Sequence, residues 1–221
     1  MRRVSAIIVA AGKGKRFGSA KQFALLRGKP LLDWSLEKFE SHPDVDEIVL
    51  VLPDDREKAA YLGRSRKVIA VVAGGPRRQD SVFCGVEALD PERAHIVLVH
   101  DGVRPFVSCA LITRVIEETQ RKGAAIPAVP VEETVKEVDG TRVVRTLDRE
   151  RLYRVQTPQG FLYPVLRTAL ERAREEGYSG TDEAALLERT GEMVAVVAGD
   201  PRNIKVTTPL DLKMAEACLE S

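Results

Sequence analysis

An α/β fold built on a mostly parallel sheet is what this sequence predicts, and three observations predict it. Short apolar runs rich in β-branched residues (Val4–Ala11, Glu47–Leu52, Val68–Ala73, Ile96–Val99 and Ala124–Val129) alternate with helical patterns. That alternation is the signature of strand–helix–strand units with right-handed crossovers. The first run leads into a basic glycine loop, Gly12-Lys13-Gly14-Lys15-Arg16-Phe17-Gly18, and in an open parallel sheet the ligand crevice lies at such strand ends. One stretch breaks the alternation: Thr134–Val138 and Thr141–Leu147 flank Asp139-Gly140, a strong hairpin signal.

Val4–Ala11 has the length and composition of a strand buried on both faces. Its loop places Lys13, Lys15, Arg16 and, three residues beyond Gly18, Lys21 around glycines whose backbone N–H groups can approach an anion closely. This is a triphosphate cradle in outline. It is not a dinucleotide fingerprint, because the third glycine comes one place late and Asp33 falls inside a helical pattern. It is not a P-loop, because no glycine precedes Lys21 and Gln22 follows it.

Phe23–Leu26 is a short apolar piece ending at Gly28. Pro30 opens a helix with Leu31, Leu32, Trp34, Ser35, Leu36 and Phe39 on its apolar side, ending near His42-Pro43. Asp54-Asp55 is placed to cap a helix running to about Leu62. Behind the third strand stand Gly74-Gly75, then Arg78 and Ser81, the last read as starting the helix Val82–Leu89. The fourth strand runs into His100-Asp101-Gly102-Val103-Arg104-Pro105. An acid at that point can hold a metal hydrate or a substrate hydroxyl, or simply cap a helix. Ser108 caps a helix to about Lys122, stopped by Gly123. The hairpin has too little apolar surface to stand alone; it packs either on its own domain or, more economically, on a partner subunit. A turn at Thr157-Pro158-Gln159 precedes helices over Pro164–Glu176 and Glu183–Thr190, with Thr181-Asp182-Glu183 reading as a cap. Val194–Val197 is a strand, and Pro209 opens a last helix to about Cys218.

The 221 residues suit a single domain, 1–221, with a sizeable core. Lys and Arg number 34 against 33 Asp and Glu, a formal net charge of +1, so no global field draws the chain to nucleic acid or membrane. Positive charge is local, which suits a small anionic ligand. Cys84, Cys109 and Cys218 are odd in number and far apart, and His42, His95 and His100 lack metal-ligand spacing. No long apolar leader and no run of membrane-spanning length is present, so a cytoplasmic protein is expected.

AAGKGKRFG followed by AKQF resembles the L-x-A-G-x-G-x-R-(M/L)-G…P-K signature of nucleotidyltransferases that activate sugar and alcohol phosphates. In detail it is similar to the 2-C-methyl-D-erythritol 4-phosphate cytidylyltransferases of the non-mevalonate isoprenoid pathway. The loop is a few residues shorter than usual in that family and has Ala20 in place of a proline. Further stretches fall in family register: Gly74-Gly75 with Arg78 and Ser81, resembling the cytosine-recognition loop, with Pro76 where an acid is common; Asp101 and Arg104 around Gly102-Val103; the Thr157-Pro158-Gln159 turn; and Asn203-Ile204-Lys205-Val206-Thr207.

The resemblance implies a Rossmann-like sheet of the nucleotidyltransferase (GT-A-like) type with a protruding hairpin arm at about 131–152 that interlocks two subunits. It implies transfer of the cytidylyl group of CTP to a polyol phosphate with release of pyrophosphate. Ala10, Ala11, Gly12, Gly14, Lys21, Gly74, Gly75, Ser81 and Gly102 would hold CTP. Arg16 and Lys21 would stabilise the triphosphate, and Arg149 and Lys205 the substrate phosphate. Asp101, Arg104, Thr134, Thr157 and Thr181 would line the rest of the substrate pocket. Mg²⁺ would bridge the phosphates, with Asp101 an outer ligand at most. A homodimer would deliver Thr134 and Arg149 to the neighbouring site. A cytidylyltransferase for another polyol phosphate, such as ribitol 5-phosphate, and a non-catalytic nucleotide-binding regulator are the alternatives.

Overall fold

The computed structural model describes residues 3–14, 16–53, 58–63 and 65–219. Lys15 and the expected cap Asp54-Asp55 lie outside the described residues. The elements run β1 (Arg3–Val9), β2 (Leu25–Leu26), β3 (Lys29–Pro30), α1 (Leu31–Ser41), β4 (Glu47–Leu52), α2 (Lys58–Tyr61), β5 (Val68–Ala73), α3 (Arg78–Glu87), β6 (Ala94–Asp101), α4 (Cys109–Lys122) and β7 (Ala124–Pro130). They continue with β8 (Lys136–Asp139), β9 (Arg142–Thr146), β10 (Tyr153–Val155), β11 (Gln159–Leu162), α5 (Tyr163–Glu175), α6 (Glu183–Arg189), β12 (Ala195–Ala198) and α7 (Pro209–Cys218).

The main sheet runs β5-β4-β1-β6-β11-β7-β12, with β10 lying along the same edge of β7 as β11. β5, β4, β1 and β6 are parallel, as the alternating pattern requires. Strand periodicity sends successive side chains to opposite faces. Ala6, Ile8, Leu50 and Leu98 therefore share a core with Phe39 of α1 and Ile112 and Val115 of α4. Ile7, Val49, Val51 and Val97 share the other with Val82 and Val86 of α3 and Leu166 and Leu170 of α5. A smaller cluster joins Ala215 and Leu212 of α7 to Leu26, Leu31, Val206 and Phe17, anchoring the glycine loop to the last helix.

The chain winds from β1 to β4 and β5 on one side and then crosses to β6 on the other, so the ends of β1 and β6 flank a topological switch point. The ladder extends just past the strands there: Ala10 N–H donates to Val51 O at 2.8 Å and Gly102 N–H to Val9 O at 2.9 Å. Three sequence signals, the glycine loop, the Gly74-Gly75 turn and Asp101, converge on this edge.

Two expectations need correction. α3 begins at Arg78, not Val82. Asp80 closes a capping box by accepting from the Arg77 N–H at 3.1 Å, so Ser81 lies within the first turn and donates to Arg77 O at 3.1 Å. The stretch around Thr157-Pro158 is also more than a turn. It is the break between β10 and β11, and β11 inserts antiparallel between β6 and β7.

The hairpin β8–β9 forms a two-stranded sheet of its own, with every residue of both strands exposed. Gly140 takes φ 57° in its turn, as a tight hairpin turn needs.

α3 approaches the sheet so closely at Gly85 that a Cβ there would stand 2.5 Å from Ile7 Cγ2 and 3.1 Å from Val51 Cγ2. Both neighbours are fully buried. Gly85→Ala gains up to about 1 kcal/mol of helix propensity but overpacks the core by about 1–3 kcal/mol. A net loss of up to about 2 kcal/mol is expected after the full propensity gain, read as a lower urea midpoint at unchanged m-value.

Candidate active site

A cavity of about 480 Å³ opens at the switch point. One wall is the glycine loop, where Ala10, Ala11, Gly12 and Gly14 line it together with Arg16 and Lys21. Gly14 has φ 63°, and a Cβ there would fall 1.7 Å from Ser19 O; only glycine allows the loop to fold back so tightly. Its carbonyl accepts from Phe17 N–H at 2.8 Å and Gly18 N–H at 2.9 Å. Opposite stand Gly75, Pro76 and Ser81; the floor is Asp101 and Lys205.

Asp101 is the hub of the floor. It is buried, and a buried carboxylate is tolerated only with partners. Arg78 Nε lies 3.1 Å from Oδ1; Lys205 Nζ lies 2.8 Å and Arg104 Nε 3.6 Å from Oδ2. Burial alone would raise the carboxyl pKa, but Arg78, Lys205 and Arg104 overcome it and hold the group ionised, well below the usual carboxylate range. Arg78 is itself held by Glu183, whose two oxygens accept from Nη1 at 2.7 and 2.8 Å. Burial disfavours the Arg78 charge, yet Glu183 and Asp101 more than restore it. Lys21, at the start of a 3-10 turn (Lys21–Phe23), has its pKa lowered by burial and then by Lys205. Four cationic side chains thus crowd two carboxylates, and the excess of positive charge suits a polyanion.

The other expected residues are placed differently. Gly74 and Gly102 do not line the cavity but support it. A Cβ on Gly74 would stand 2.2 Å from Ala11 Cβ and 2.7 Å from Ser81 Oγ, and one on Gly102 3.1 Å from Ala10 Cβ. Thr157 is buried beneath Asp101, and its Oγ1 accepts from the Asp101 N–H at 3.1 Å. The same Oγ1 lies 3.1 Å from His100 Nδ1, in hydrogen-bond contact with the buried imidazole. Burial pushes His100 down to about 3, so it stays neutral. Arg104 reaches behind Asp101 to Asn203 O at 2.8 Å, and Asn203 Nδ2 donates to Thr157 O at 2.9 Å. These contacts tie the segment carrying Lys205 to the floor. Thr134, Arg149 and Thr181 are exposed and do not line the cavity; Arg149 Nη1 donates to Glu132 O at 2.8 Å at the base of the arm.

Some lining residues escaped sequence reasoning. Gln22 is buried in the wall, and its Nε2 has no acceptor among the described residues. Arg77 and Thr207 also line the cavity. Glu183 read only as part of a helix cap; no local signal marks it, because its partner Arg78 is 105 residues away.

The family model for 2-C-methyl-D-erythritol 4-phosphate cytidylyltransferase matches residues 4–221. The chain is 45% identical to the enzyme of that description from Geotalea uraniireducens, over 99% of this chain and 97% of the relative. It is 46% identical to the one from Geobacillus thermodenitrificans, over 98% and 96%. Among solved structures it resembles 4-diphosphocytidyl-2C-methyl-D-erythritol synthase from Anaerococcus prevotii (TM-score 0.89, 35% identity, 100% of this chain and 99% of that one). It also resembles the cytidylyltransferase from Thermus thermophilus (TM-score 0.82, 37% identity, 97% and 98%).

Proposed function

Because the chain belongs to the 2-C-methyl-D-erythritol 4-phosphate cytidylyltransferase family, we propose that the cavity between β1 and β6 is where its reaction takes place. The enzyme joins CTP to 2-C-methyl-D-erythritol 4-phosphate, giving 4-diphosphocytidyl-2-C-methyl-D-erythritol and pyrophosphate in isoprenoid biosynthesis. The observation that carries the placement is the glycine wall meeting a cationic floor around Asp101.

The substrate's phosphate oxygen attacks the α-phosphorus of CTP, and pyrophosphate leaves. Two anions must be brought together while charge accumulates on the equatorial and leaving oxygens. Catalysis is therefore mostly positioning and electrostatics. Arg16 and Lys21 take the triphosphate; Lys205 takes the incoming phosphate; Gly75 and Ser81 face the base. Asp101, with Arg104 behind it, meets a substrate hydroxyl.

Mg²⁺ is proposed to enter on the triphosphate. Both Asp101 oxygens are engaged by cations, and among the described residues no group of three or more His, Cys, Asp or Glu could hold a metal. These residues would not form an all-protein metal cage; the ion would be held mainly by the phosphates and its own waters, with Asp101 an outer ligand. When bound, the ion neutralises phosphate charge.

The exposed arm, with Val138, Val143 and Val144 each more than half exposed, supports a homodimer, since an isolated two-stranded ribbon is marginal in water. No helix among the described residues is long and apolar enough to cross a membrane; the composition supports a cytoplasmic enzyme.

Pyrophosphate release tests the assignment. We expect turnover with CTP and 2-C-methyl-D-erythritol 4-phosphate, and a kcat/KM for CTP at least about tenfold above that for ATP, because backbone groups around Gly75 together with Ser81 would read the edge of a pyrimidine. Equal kcat/KM values for CTP and ATP would overturn the base assignment. A preference for ribitol 5-phosphate would overturn the substrate.

A further inference from the structure

We propose that Glu183 is a positioning residue of the reaction: it seats the Arg78 guanidinium, and through it the Asp101 carboxylate. The inference rests on reading the cavity as the site of cytidylyl transfer.

Glu183 is the first residue of α6 and only 1% exposed. Its backbone position is fixed from two sides. Asp182 caps α6 by accepting from Ala185 N–H at 3.0 Å, and its other oxygen accepts from Gln159 Nε2 of β11 at 2.7 Å. Gln79, next to Arg78, accepts from Gly180 N–H at 3.0 Å and donates to Tyr178 O at 3.2 Å. The start of α3 and the approach to α6 are thus stitched together independently of the ion pair. The two helices have ties besides Glu183, which places its buried carboxylate on a single guanidinium nitrogen.

The guanidinium is a rigid fork. Nη1 is committed to Glu183 and Nε to Asp101. Nη2 has no protein partner among the described residues, and Arg78 lines the cavity. Glu183 therefore sets which edge of the fork meets Asp101 and which faces a ligand. Without it, Arg78 has only Asp101 to turn to, and Asp101 also carries Lys205 at 2.8 Å. A displaced Arg78 moves the group that holds the phosphate-binding lysine. A misplacement of about 1 Å in such a constellation can lower a rate by about 10²-fold.

The test uses Glu183→Gln, which keeps the shape and removes the charge, and Glu183→Asp, which keeps the charge but withdraws it by one methylene. Pyrophosphate release, with both substrates varied, and thermal melting are measured on the wild type, both variants, Arg78→Ala and the double variant Arg78→Ala/Glu183→Gln. We expect each Glu183 variant to lose about tenfold in kcat while remaining folded at assay temperature. We also expect Glu183→Gln to add less than about twofold in the Arg78→Ala background, because residues acting as one unit are non-additive. Normal kcat in Glu183→Asp would show that charge balance alone matters and overturn the proposal. Losses that multiply fully in the double variant would show that Glu183 does not act through Arg78. A wild-type chain that releases no pyrophosphate would overturn the assignment of the cavity, and this inference with it; the other two outcomes leave that assignment standing.

Discussion

Lys21→Ala is expected to lower kcat about 10²–10³-fold, by analogy with removing one preorganised donor from a charge-stabilising site, while leaving the fold intact. The second half of that expectation comes from the lysine's own environment. Its pKa is lowered in the folded chain, first by burial and then by the neighbouring Lys205. A folded pKa below the unfolded one means that the protonated lysine is less favourable in the native state than in the unfolded chain. At neutral pH the protein keeps this cation at a cost in stability, and removing it should leave the melting temperature unchanged or slightly raised. A triphosphate would reverse that balance by supplying counter-charge. Circular dichroism melting and pyrophosphate-release kinetics on the same preparation check both halves. A kcat within about threefold of wild type, under about 1 kcal/mol of barrier, would remove Lys21 from the machinery.

Lys21 stands out in the sequence because it follows closely on the glycine loop, and other features decided by nearby residues are as legible. β4 and β5 fall on the residues their apolar runs predict: β4 is buried throughout, as an unbroken β-branched run requires, and β5 is the partly exposed edge strand beside it. Ser108 and Gly123 bound α4 as local rules require: the serine accepts from Leu111 N–H, and the glycine adopts φ 88°. The hairpin forms as its Asp-Gly signal requires, but one residue out of place: Asp139 still pairs with Arg142 in the ladder, and Gly140-Thr141 make the turn. All of these are decided within a few residues of chain.

The features that were not legible are decided across the chain. β11 is four residues long and lies antiparallel between two parallel strands. Gln159-Gly160-Phe161-Leu162 has neither the length nor the alternation to announce that placement. The start of α3 was displaced because Arg77 is an unusual cap residue whose box is completed by Asp80, and Ser81 offered the more familiar signal. The floor of the cavity was legible only in part. Asp101 and Lys205 stand out in the sequence, but not their contact, and not the pairing of Arg78 with Asp101 and Glu183. His100 read as a histidine without metal-ligand spacing. Its buried tie to Thr157 depends on β6 and β11 lying side by side. Charged clusters assembled from distant segments leave no period and no local motif.

The placement of Arg149 leads to the sharpest test of quaternary structure. Lys205 lies in the cavity of its own chain, whereas Arg149 sits exposed at the base of an arm whose two strands pair only with each other among the described residues. If the arm is exchanged in a homodimer, each site uses Lys205 from one chain and Arg149 from the other. Arg149→Ala and Lys205→Ala should then each be nearly inactive, since each leaves the substrate phosphate badly held against repulsion by CTP. Mixing the two inactive proteins and allowing subunits to exchange gives, at equilibrium, about half mixed dimers, as expected for a symmetric two-subunit assembly. In each mixed dimer one site lacks both groups and the other has both. Activity should therefore recover toward about a quarter of the wild-type level, with wild-type KM values, because the recovered sites are chemically unaltered. Recovery should follow the rate of subunit exchange, measured independently by labelling one variant. A mixture that stays as inactive as its parents after complete exchange would place both residues in one chain's site and leave the arm a purely structural element. A mixture whose variants never associate would remove the dimer, and with it the reading of the arm.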